Sequence, residues 1–137
     1  MILVLDASVL GEILLMTPTG RAAQWHLNNG APELHMPQLA VLETMSILRG
    51  WLHSGQATIH QAEQALQALT DFPATHWPDD TLCSRVWQLR DNATVYDATY
   101  VALAETLGAT LLTADRRLAR GLKGIAACPI VTVPGPT

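Results

Sequence analysis

Ile2-Leu3-Val4-Leu5-Asp6 opens the chain with four apolar residues and a carboxylate. A short run that is apolar at every position suits a strand covered on both faces, as in a parallel sheet. The pattern returns late in the chain as Ala109-Thr110-Leu111-Leu112-Thr113, again followed closely by an acid, Asp115. Pro129-Ile-Val-Thr-Val133 reads as a final strand, and Pro134-Gly135-Pro136 as the end of the structure. Helical signals fill the space between. A helix is expected over Ala7–Leu15, and Thr17-Pro18 opens a second, with Thr as N-cap and Pro in the first turn, ending near Gly30. Met36-Pro37-Gln38-Leu39 leads into a third, and Thr58…Gln61 is a capping box for a fourth. Pro78-Asp79-Asp80 starts a fifth. Asp97 begins one that stops at Gly108, and Asp115 caps a short one that closes at Gly121. Helices alternating with all-apolar strands predict a three-layer α/β/α fold with a short parallel central sheet. The expectation is a single domain over residues 1–137.

Composition agrees. Of 137 residues, 49% are hydrophobic and 15% charged, which excludes a disordered chain or a coiled coil. The apolar stretches are interrupted by Asp6, Glu12 and Glu43, well short of the ~20 residues of a membrane span, and no signal peptide is legible. Cys83 and Cys128 form no CxxC, and are read as reduced core thiols of a cytoplasmic protein. The net charge of −4 argues against coating nucleic acid by bulk positive charge. The acids, however, concentrate in residues 1–84 and six of the eight cations in residues 85–137, so a basic patch on an acidic body is open. The five histidines show no HxxxH or HxH spacing and are read as structural. The four tryptophans are expected to anchor the core or a dimer interface.

Four acids carry the chemistry. Asp6 and Asp115 stand at or just beyond the carboxyl ends of expected strands, where open parallel sheets bind ligands. Each is also a good helix N-cap, as is Asp97 at the start of its helix, and capping alone accounts for any one of them. Glu43 differs, because it lies inside a helix with Ala40 and Ile47 on its own face. An acid there either reaches solvent at the edge of the stripe, pairs with an arginine, or binds a metal. Four carboxylates in one crevice demand a shared proton or a cation. Hard oxygen ligands suit Mg²⁺ or Mn²⁺, and water activated at such a site attacks phosphodiesters, which is nuclease chemistry.

Val4-Leu-Asp-Ala-Ser8, Val41-Leu-Glu-Thr-Met45, Tyr96-Asp-Ala-Thr-Tyr-Val-Ala-Leu-Ala-Glu105 and Leu112-Thr-Ala-Asp-Arg-Arg-Leu118 resemble, in order, the four blocks of the PIN-domain family, and most closely its VapC-type toxins. The resemblance implies Asp6, Glu43, Asp97 and Asp115 as the metal-binding quartet. It implies Thr113 and Ser8 as residues that orient carboxylates or water. Ser46 stands where many relatives carry Asn. The implied activity is Mg²⁺- or Mn²⁺-dependent endoribonucleolytic cleavage, with RNA as substrate, a homodimeric state and a cognate antitoxin as partner. The alternative is a catalytically inactive PIN-like module that binds RNA or protein, against which the presence of all four acids argues. Arg116, Arg120 and Lys123, spaced to share a helical face after Asp115, are candidates for holding RNA phosphates, with Arg49 a weaker one; a solvated helix face explains the three equally simply.

Overall fold

The structure, a computed structural model, describes residues 1–134; of the Pro134-Gly135-Pro136 terminator only Pro134 falls among them. Five strands, β1 (Ile2–Leu5), β2 (Glu33–Pro37), β3 (Thr75–Trp77), β4 (Thr110–Thr113) and β5 (Ile130–Thr132), pair in parallel in the order β3-β2-β1-β4-β5. β1 is central, with Val4 opposite His35 of β2 and Leu111 of β4. Its residues Val4 and Leu5 are wholly buried, as are Leu111 and Leu112 of β4, which is why both strands read as unbroken apolar runs.

Seven helices complete the three layers: α1 (Ala7–Leu14), α2 (Pro18–Asn28), α3 (Leu39–Ser54), α4 (Ile59–Thr70), α5 (Cys83–Gln88), α6 (Val95–Leu107) and α7 (Arg116–Gly121). α1 packs against α2, α3 and α4, while α6 lies along β1, β2 and β4 and is backed by α5. Local chemistry sets their starts. Asp6, Thr17 and Asp115 cap α1, α2 and α7 through their side chains, and Thr58 with Gln61 forms the full capping box of α4. Gly108 ends α6 with φ of 63°, a left-handed conformation that only glycine takes without a steric cost.

Several expectations are corrected. β2 and β3 were not visible as strands: Met36 and Pro37, expected to lead into a helix, close β2 instead. β2 alternates nothing and carries Glu33 and His35, and β3 has only three residues, so neither offers the apolar run that marks β1 and β4. Asp97 does not cap α6; that role belongs to Thr94, whose hydroxyl accepts from the Asp97 N–H. Trp25 and Trp87 are 63% and 64% exposed and do not anchor the core, and Cys83 is exposed rather than a core thiol. Among the described residues no helix is long and apolar enough to cross a membrane.

Candidate active site

The chain lays down β1, β2 and β3 to one side, then returns to place β4 on the other side of β1. This reversal creates the crevice beyond the strand ends where α/β sheets bind ligands. Asp6 leaves the carboxyl end of β1 into it and Asp115 follows β4 into it. α3 brings Glu43 and α6 brings Asp97, and all four carboxylates line one cavity of about 270 Å³. Ser8, Ser46 and Tyr100 complete its polar wall.

Asp6 is the best-held member. Its Oδ1 accepts from the Ser8 hydroxyl at 2.6 Å and the Val9 N–H at 3.1 Å, and its Oδ2 accepts from the Thr113 hydroxyl at 2.6 Å. The two hydroxyls are themselves fixed, since Ser8 Oγ accepts the Ala114 N–H and Thr113 Oγ1 accepts the Asp115 N–H. A small network thus ties β1 and α1 to the turn after β4. A carboxylate offers about four lone-pair sites. Three are taken, so Asp6 is oriented with one acceptor position left for a further ligand.

The electrostatics are those of crowded acids. Burial pushes Asp6 up to about 6; its three hydrogen bonds oppose the shift and Asp97 adds to it. Glu43 is also raised, by partial burial first and then by Asp97, although its bond from Tyr100 works the other way. Asp97 is raised by burial and by Asp115, with Thr94 and Arg117 opposing. Asp6 and Glu43 both feel Asp97, and Asp97 feels Asp115. A divalent cation removes that repulsion, and the donors fit one: hard oxygens, one acceptor site open on Asp6, and a partly open cavity. Among the described residues no three acids, histidines or cysteines are already gathered into a closed chelating group.

Tyr100 escaped the reading of the sequence. It lies one turn after Asp97 on α6, is buried, and donates its hydroxyl to Glu43 Oε1 at 2.6 Å. The signal was its i+3 spacing from Asp97, which places both on one helix face. Tyr100→Phe is expected to leave the fold intact and raise the Glu43 pKa further. It should weaken Mn²⁺ binding by roughly 10- to 100-fold, as loss of a ligand's supporting partner does. Titration of Mn²⁺ followed by calorimetry checks this; unchanged affinity would show that Glu43 does not depend on Tyr100.

The cations are redistributed relative to expectation. α7 ends at Gly121, so Lys123 does not continue the helical face of Arg116 and Arg120. The cation nearest the acids is Arg117, unremarked in the sequence, whose Nε lies 4.0 Å from Asp115 Oδ1. Arg116 lines the cavity next to the acidic one. Arg49 faces a separate apolar groove between α3 and α4.

The comparisons with known proteins agree with this geometry. The model of the PIN domain matches residues 3–121. The chain is 39% identical over 132 residues to the VapC ribonuclease Mb0985 of Mycobacterium bovis, covering 96% of this chain and 98% of that one. Two solved structures share the fold: PAE2754 from Pyrobaculum aerophilum (TM-score 0.69, 22% identity, 94% and 82% of the two chains) and a toxin–antitoxin complex from Klebsiella pneumoniae (TM-score 0.68, 19% identity, 97% and 98%). The chain belongs to the PIN-domain family, alongside the VapC ribonucleases.

Proposed function

We propose that this protein is a Mg²⁺- or Mn²⁺-dependent endoribonuclease and the toxin of a VapBC-type toxin–antitoxin module. The observation that carries the reading is the single cavity lined by Asp6, Glu43, Asp97 and Asp115. Its support is the likeness to a VapC ribonuclease over almost the whole chain. These four acids are the residues that would hold the metal. When bound, the ion supplies neutralisation of the phosphodiester charge and activation of the attacking water. The chain's own groups do the rest. Ser8 and Thr113 hold Asp6 in one orientation, Tyr100 holds Glu43, and Arg117 beside Asp115 offers a phosphate a counter-charge.

In the same reading the whole of residues 1–137 is one domain that works in the cytoplasm as a homodimer and is silenced by a cognate antitoxin. The α3–α4 groove, with exposed Ile59 and Leu66, offers a protein partner apolar contacts. A solved structure of the same fold, from Klebsiella pneumoniae, is a toxin–antitoxin complex.

The test uses purified protein free of antitoxin, incubated with total RNA. Cleavage is expected with Mg²⁺ or Mn²⁺ and is expected to stop with EDTA. Cleavage that persists in EDTA would overturn the metal mechanism, and intact RNA under every metal condition would favour the inactive binding module.

A further inference from the structure

The acidic cavity adjoins two others, which also share Asp115 and Arg117 with each other. On one side lies a cavity of about 240 Å³ walled by Asn92, Thr94 and Leu118, sharing Asp97 and Asp115 with the acids. On the other lies a cavity of about 480 Å³ that shares Ser8, Ile47 and Asp115. The two flanks differ chemically. The larger is walled by Ile47 and Trp51, one turn apart on α3, by Glu12, one turn after Ser8 on α1, and by Arg116 and Arg117. Gly11 lets α3 close on this wall: a Cβ there would meet Ile47 Cγ2 at 3.3 Å and Trp51 Cη2 at 3.4 Å. The Trp51 ring is therefore seated on the backbone of α1 while staying partly exposed to the cavity. Glu12 Oε2 is engaged by the Thr17 hydroxyl, and Oε1 has no donor among the described residues.

We infer that the cavity between α1 and α3 is a nucleobase subsite, which takes the base next to the scissile phosphate and prefers one carrying an exocyclic amino group. The inference rests on the nuclease reading above and adds a specificity determinant to it. The ingredients are those of single-strand recognition. An indole offers a base a stacking face, and two guanidinium groups beside it hold the flanking phosphates. The free oxygen of Glu12 accepts from an amino group, as in adenine, cytosine or guanine. Uracil has no amino group and offers only its N3–H, flanked by two carbonyl oxygens that a carboxylate repels, so it pairs less well there. A strand that crosses from the larger cavity into the acidic one then places a base on Trp51 while its phosphate lies over the acids. Glu12 and Trp51 are positioning residues in this scheme, since neither touches the reacting atoms.

The experiment has two arms. In the first, a random RNA pool is cut by the wild type, Glu12→Gln, Trp51→Ala and Trp51→Phe, and the ends are sequenced. At one of the two positions flanking the cut, uracil is expected to be depleted at least about fivefold in the wild type. Glu12→Gln, which replaces an acceptor with a donor, is expected to abolish or reverse that bias. Trp51→Ala should lower kcat/KM by about tenfold on all sequences, and Trp51→Phe should recover most of the loss, consistent with the worth of one base stacked on an aromatic ring. Cleavage with the same base profile in Glu12→Gln overturns the subsite and leaves the nuclease reading standing. The second arm does not depend on cleavage. CMP and UMP are titrated into wild type and Glu12→Gln and followed by NMR. Tighter CMP binding in the wild type alone supports the subsite even if no RNA is cut. Equal binding of the two nucleotides overturns it.

Discussion

Asp6→Asn is expected to melt higher than the wild type when both are free of metal at neutral pH, and to lose at least about 100-fold in RNA cleavage. The stability gain follows from linkage. The Asp6 carboxyl is held at about 6 in the folded protein against 3.8 for an ordinary aspartate, so between those values the native state binds more protons than the unfolded chain. Stability is then fully present below about pH 4 and is lost as pH rises through about 6. A shift of that size corresponds to about 3 kcal/mol, or on the order of 10 °C in Tm for a domain of this length. Asparagine removes the charge but keeps the network: its carbonyl accepts from Ser8 and Val9, and its amide donates to Thr113 Oγ1. The metal-free variant should therefore show a flatter stability profile between pH 4 and 6, measured by thermal melts across that range. Adding Mn²⁺ should stabilise the wild type more than the variant, because binding to the native state alone raises Tm. A wild-type melt that is flat over the same range would show that burial does not raise the Asp6 carboxyl.

Gly20→Ala is expected to be the most damaging single-methyl change in the protein. A Cβ at Gly20, in the first turn of α2, would lie 2.0 Å from the Glu12 carbonyl oxygen and 2.5 Å from its carbon. Both are backbone atoms of α1, and the same carbonyl accepts the Thr17 N–H at 3.1 Å at the corner between the two helices. No rotamer relieves the clash, so α1 and α2 must separate, at a cost of about 3 kcal/mol or more. Gly50→Ala supplies the contrast. It lies in exposed helix with nothing near its Cβ position, and alanine there should stabilise by about 0.5–1 kcal/mol. Equilibrium unfolding of the pair measures both. Equal effects would mean that the α1–α2 corner yields at little cost.

The sequence revealed the parts of this fold that are buried on both faces and hid those that are not. β1 and β4 announce themselves because solvent touches neither face. β2 hides because Glu33 and His35 sit near an edge, and the imidazole accepts from the Trp77 indole N–H at 2.9 Å rather than packing in an apolar layer. The acids were legible for a related reason. Glu43 on an apolar stripe and two aspartates just past strand ends are expensive placements without a ligand. For Asp6 and Asp115 the capping explanation was also true: each caps a helix and faces the cavity as well. For Asp97 the capping alternative fails, because Thr94, three residues earlier, is the cap. Tyr100 and Arg117 were missed because their importance comes from what other elements place beside them, Glu43 in one case and Asp115 in the other. The exposed indoles of Trp25 and Trp87 show the same limit, since residue type alone does not say which face of a helix a neighbour will cover.

The hydroxyl of Thr113 and the carboxylate of Asp6 are separated by 107 positions of chain, yet they meet across adjacent strands. A polypeptide emerging from the ribosome carries Asp6 into solution long before β4 exists to receive it. Until residues near 115 have been synthesised and have cleared the exit tunnel, the first aspartate has no Thr113 partner and no Asp115 neighbour. The strand order thus acts as a timer: the four acids come together only with the last sixth of the protein.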